Sequence, residues 1–143
     1  MERARIDISQ DLDGDPVVYA CFDLAPEQIV AAAHAVHTVA GERFRTTEMS
    51  ADDVLEFRDL TALADELSEL TAGASTVVLR PARLSMLLDA VTRFVESRER
   101  ADWVREEDHK PMGLLREMLF GLEQLSAEAT RAALDPTNPA FRR

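Results

Sequence analysis

Two histidines three residues apart, His34 and His37, are the first side chains in this sequence whose types and spacing could do chemistry. On a helix that spacing sets both imidazoles on one side, where they could share a metal ion. A metal-binding protein or an enzyme using His34 and His37 is therefore one reading. Two ligands do not complete a site. A third would have to come from Cys21, His109 or a carboxylate, and no spacing demands one. The plain alternative makes His37 a partly buried residue on the shoulder of its helix and His34 a boundary one, with no metal and no cofactor.

The remaining motifs are weaker. Glu106-Glu107-Asp108-His109 contains the Glu-x-x-His spacing of carboxylate-bridged di-metal helices, which need the motif twice with further inward glutamates. Here it occurs once, in the most polar stretch of the chain, and reads as a solvated charge run. Asp11, Asp13 and Asp15 alternate as in a calcium loop, but the required glycine and bidentate glutamate positions hold Pro16 and Phe22. Arg80 and Arg83 flank Pro81 at a helix start, where they could meet an anion or simply face solvent. Cys21, between Ala20 and Phe22 in an apolar stretch, reads as a packed, inert thiol. There is no Gly-x-Ser-x-Gly elbow, Walker A loop or Gly-x-Gly-x-x-Gly, and the five glycines are scattered singly.

The frame that must position these residues is small and acidic. At 143 residues the chain is expected to form a single compact domain over 1–143, with about 135–143 an irregular tail. A 46% apolar and 30% charged composition is ordinary globular material. The net charge is −11, which argues against direct nucleic-acid or anionic-membrane partners, since both need a basic surface. Residues 1–75 hold 16 acidic and 5 basic side chains, whereas the rest is balanced, so a basic partner would be drawn to the first half. No apolar run reaches a membrane span, the N-terminus lacks a signal-peptide pattern, and a single cysteine suits a reducing compartment. A cytoplasmic setting is expected, and fifteen arginines against one lysine suit a GC-rich bacterial coding sequence.

Period-two alternation of Ile6 and Ile8, then the Val- and aromatic-rich stretch from Pro16 to Leu24, predicts an N-terminal hairpin turning at Asp13-Gly14. A helix follows from Pro26 to Ala40, stopped by Gly41, with Ile29, Ala33, Val36 and Ala40 inward and Val30 and His37 on its shoulder. Residues 42–49 read as a third strand. Ser50 caps a second helix running to about Thr71 and stopped by Gly73, with Phe57, Leu60, Leu63, Ala64, Leu67 and Leu70 as its stripe. Ser75 to Leu79 is a short strand, and Pro81 opens a helix with the stripe Leu84, Leu87, Leu88, Val91, Phe94 and Val95. Residues 96–110 read as a charged connector. Pro111 starts a last helix to about Leu134, with Leu114, Leu115, Met118, Leu122, Leu125 and Ala129 inward. Its Gly113 and Gly121 each weaken it by about 1 kcal/mol relative to alanine.

Three apolar residues stand off the stripes of their helices: Leu55, Met86 and Phe120. They mark candidate contacts with a further layer, a second copy or a partner. The expected fold is α+β, a small antiparallel sheet covered by three to four amphipathic helices. The alternative is a mostly helical bundle carrying an N-terminal β-hairpin. The expected function is a protein–protein interaction or regulatory module without catalytic activity, self-associating as a homodimer. A third reading is an acidic polyanion mimic that binds a basic partner.

Overall fold

The computed structural model describes residues 1–44, 48–70 and 75–135, and these form seven elements. Strands β1 (Glu2–Gln10) and β2 (Pro16–Leu24) form the hairpin, with Ile6 opposite Ala20 and Ile8 opposite Val18. Gly14 takes φ +81° at the turn, a conformation that favours glycine, and the Asp11 carboxylate accepts the amides of Asp13 and Asp15 at 2.9 Å each. Strand β3 (Ser75–Leu79) then pairs antiparallel with β2, setting Leu79 opposite Ala20 and Val77 opposite Phe22. The sheet order is β1-β2-β3, so the fold is α+β.

Alternation decides which sheet face is covered. Ile6, Val18, Ala20, Phe22, Leu24, Val77 and Leu79 point one way and are 5% exposed or less. Helices α1 (Pro26–Arg43), α3 (Pro81–Arg100) and α4 (Glu106–Leu134) pack there, and α2 (Ala51–Ser68) lies mainly against α1. The opposite face carries Arg5, Asp7, Tyr19 and Asp23, with Arg5 and Asp7 paired at 3.2 Å and Arg80 stacked over Tyr19.

Helix α1 is central, touching α2, α3 and α4. That explains why Ala31, Ala32, Ala35 and Val39 are buried in addition to the expected arc: three helices close on its small side chains. Val30 and His37 are exposed rather than on a shoulder. The helix also continues through Gly41 to Arg43, because nothing at Gly41 forces the left-handed conformation that ends a helix. The expected strand over 42–49 is therefore not formed: 42–43 finish α1, Phe44 is a turn, 48–49 are irregular, and 45–47 lie outside the described residues.

Ser50 caps α2 as its sequence requires, its hydroxyl accepting from the Asp53 amide while Asp53 accepts from the Ser50 amide, both at 3.1 Å. The helix ends at Ser68, and the expected stop at Gly73 lies outside the described residues. Leu60, Leu63, Ala64 and Leu67 are buried, but Phe57 is not; it meets Phe44 edge-on at 5.8 Å. The stripe of α3 is buried apart from the half-buried Leu88. The connector expected over 96–110 shrinks to five residues, 101–105, since α3 runs to Arg100 and α4 begins at Glu106 with Pro111 inside it. Among the described residues no helix is long and apolar enough to cross a membrane.

Candidate functional site

The α1, α3 and α4 ends that flank the short connector enclose an open cleft of about 450 Å³, lined among others by His34, His37, Glu42, Arg98, Trp103, Arg105 and Glu107. Its floor is a chain of charge. Asp108 Oδ1 lies 2.8 Å from His34 Nε2, and Asp108 Oδ2 accepts from Arg98 Nε at 3.2 Å. Arg98 reaches on to donate to Glu42 Oε1 at 3.0 Å and to Ser97 Oγ at 2.9 Å. Phe94 supports this chain from below, with the His34 ring edge-on at 5.5 Å and the Arg98 guanidinium 4.6 Å over its face.

Asp108 is 4% exposed, so its charge must be paid for by partners rather than by water. Burial alone would raise its carboxyl pKa. The hydrogen bonds from His34 and Arg98, with the Arg98 charge, outweigh burial and hold it below the ordinary carboxylate range. Burial likewise works against the Arg98 charge, and Glu42 and Asp108 together override it and raise its pKa. With Asp108 ionised, its Oδ1 can only accept, so the proton in this contact lies on His34 Nε2. Ser97 is not poised as a nucleophile beside it, because its hydroxyl donates to the Phe94 carbonyl at 2.9 Å while accepting from Arg98.

His34 and His37 thus both line one cleft, and His34 meets the Asp108 carboxylate through Nε2. Cys21 is buried in β2 with its Sγ 3.2 Å from Asp7, and His109 is exposed. Among the described residues the only three ligand atoms of His, Cys, Asp or Glu within 4.8 Å of one another belong to Asp11, Asp13 and Asp15, all exposed. Arg83 donates to the Asp59 carbonyl at 2.6 Å and so ties α3 to α2.

Asp108 belonged to the expected solvated run, and its burial is the main correction. The signal was available: Asp108 stands seven residues before Leu115 and fourteen before Leu122, on the stripe of α4 continued backwards. Taking Pro111 as the first helical residue cut that stripe short. Trp103 and Arg98 carried no comparable pattern.

The three off-stripe residues separate. Met86 is half-buried and packs against the core, so internal contacts account for it. Leu55 is 57% exposed and Phe120 70%. Leu55 has company: Val54 and Phe57, at 43% and 38%, are exposed on the same first half of α2. Compared with known protein families, characterised proteins and solved structures, the chain matches none.

Proposed function

We propose that this chain is a protein-interaction module with no chemistry of its own, and that the first half of α2 meets a partner presenting apolar side chains among basic ones. The observation that carries this reading is the change of burial along one helix. Leu60, Leu63, Ala64 and Leu67 are buried, whereas Val54, Leu55 and Phe57 are solvent-facing. Each of these three is apolar surface that a partner can remove from water. Their surroundings select the partner: α2 carries six acidic side chains and one basic, and only Glu56 and Asp59 form ion pairs among the described residues, with Arg43 and Arg83. A second copy of so acidic a helix would be repelled on this face, which favours a basic partner over a homodimer here.

A helical peptide of leucine and lysine, titrated against the protein and its Leu55→Asp variant at low and high salt, tests the reading. Binding that weakens with salt and is lost in Leu55→Asp is expected. The substitution adds a carboxylate, so attraction by charge alone would instead strengthen, and that outcome overturns the proposal. Solution mass by size-exclusion chromatography with light scattering decides the other occupant. A dimer that Leu55→Asp dissociates would assign the face to a second copy.

A further inference from the structure

We propose that the cleft between α1, α3 and the start of α4 is a recognition site for an arginine side chain of a peptide partner, held over Trp103 by the carboxylates of Glu42 and Glu107. This goes beyond the α2 face, uses different residues and stands whether or not that face binds.

The distribution of satisfied and unsatisfied groups sets the sign of the ligand. Asp108 is buried and already accepts from both His34 and Arg98. Arg98 is mostly buried and held by Asp108 and Glu42, so an incoming anion would have to break an existing ion pair to reach it. The rim carboxylates are less committed. Among the described residues Glu42 accepts only at Oε1, and Glu107 accepts only at Oε1 from Arg105, at a long 3.5 Å. Each therefore keeps an oxygen for a donor that arrives from solvent. In the same cleft the connector holds Trp103, 76% exposed, an indole whose face attracts a cation. A planar guanidinium matches this set better than an ammonium, since it can stack on the indole while its edge donates to carboxylates.

The shape sets the source. The cleft is open to solvent on one side, whereas small-molecule sites bury most of their ligand. A side chain delivered by a larger partner needs no such enclosure, because contacts elsewhere hold it in place. Arg105, exposed and loosely paired with Glu107, occupies part of this arrangement in the free protein and competes with the incoming guanidinium.

Trp103 is the only tryptophan, so its fluorescence reports the cleft alone. The probe is acetyl-Gly-Arg-Gly-amide, titrated against its citrulline counterpart, which keeps the shape and loses the charge. Saturable change with the arginine peptide, weaker by about tenfold or more with citrulline, is expected. Glu107→Gln should weaken the arginine peptide, and Arg105→Ala should strengthen it by freeing Glu107. That gain separates recognition from a merely structural role for the connector. Equal response to both peptides, or no effect of either exposed substitution, overturns the site. N-methylguanidine binding as tightly as the peptide overturns the peptide source. Leu55→Asp should leave all these titrations unchanged, so failure here and failure of the α2 reading are distinguishable.

Discussion

Asp108 and His34, 74 residues apart in sequence, meet at 2.8 Å and tie the first turn of α4 to the middle of α1. Arg98 brings α3 to the same carboxylate, so three helices share one buried acceptor. The cleft sits on that junction, and its rim is only as well placed as the junction is rigid.

Replacing Asp108 should therefore destabilise the whole domain. Asp108→Asn removes the buried counter-charge of Arg98, whose side chain is 16% exposed, and turns one of two acceptor oxygens into a donor, and the expected loss is about 3 kcal/mol. Glu107→Gln, one residue earlier on the exposed side, should change stability by less than about 0.5 kcal/mol. Urea denaturation of the two variants makes the comparison. Equal losses would show that the buried acceptor contributes nothing beyond an ordinary surface charge.

The same carboxylate predicts the acid limb of stability. Its folded pKa is depressed, while an aspartate in the unfolded chain titrates at about 3.9. The unfolded state thus binds the proton first. The contribution is fully present above about pH 5 and is lost as the pH falls through the folded value. Acid also relieves the repulsion of a chain with net charge −11, so absolute stability mixes both effects. The difference between wild type and Asp108→Asn isolates the first, and it should shrink steadily below about pH 5. A difference independent of pH would remove the ionised carboxylate from the account.

Cys21 should be slow to react despite lying on the sheet face turned away from the helices. It is 3% exposed, with β1 and β3 on either side. Alkylation in the native state should run at least about a hundredfold slower than in denaturant, because it needs a local opening. Comparable rates in the two conditions would place the thiol in solvent.

What was legible in the sequence follows from the range of each interaction. The hairpin, the Ser50 cap and the stripe of α3 are specified by residues within one or two turns of each other, and all form as read. The strand expected over 42–49 does not form at the residues described there, 42–44 and 48–49, because α1 passes straight through Gly41. Phe57 fits a helical stripe by spacing, yet α2 lies mainly against α1, and Phe57 stays 38% exposed with Phe44 edge-on to it. The cleft was half visible. His34 and His37 stand out by type and spacing, but Asp108, which pairs with His34, and Arg98 come from α4 and α3, and pairing across that distance leaves no periodic trace.

The glycines of α4 give a prediction in which two local effects have to be weighed. Relative to alanine, glycine inside a helix costs about 1 kcal/mol, chiefly in backbone entropy. At Gly113 an added Cβ meets nothing within 4 Å, so Gly113→Ala should stabilise the protein by about that amount. At Gly121 the same Cβ would come within 2.9 Å of the Met1 Cε. That atom ends a flexible, half-buried side chain, which can turn aside at the loss of part of its packing against α4. Gly121→Ala should then gain less than Gly113→Ala, and the deficit should vanish when Met1 is shortened in the same chain. Thermal denaturation of the single and combined variants reads this directly. A larger gain at Gly121 than at Gly113 would show that Met1 does not rest on α4 in solution.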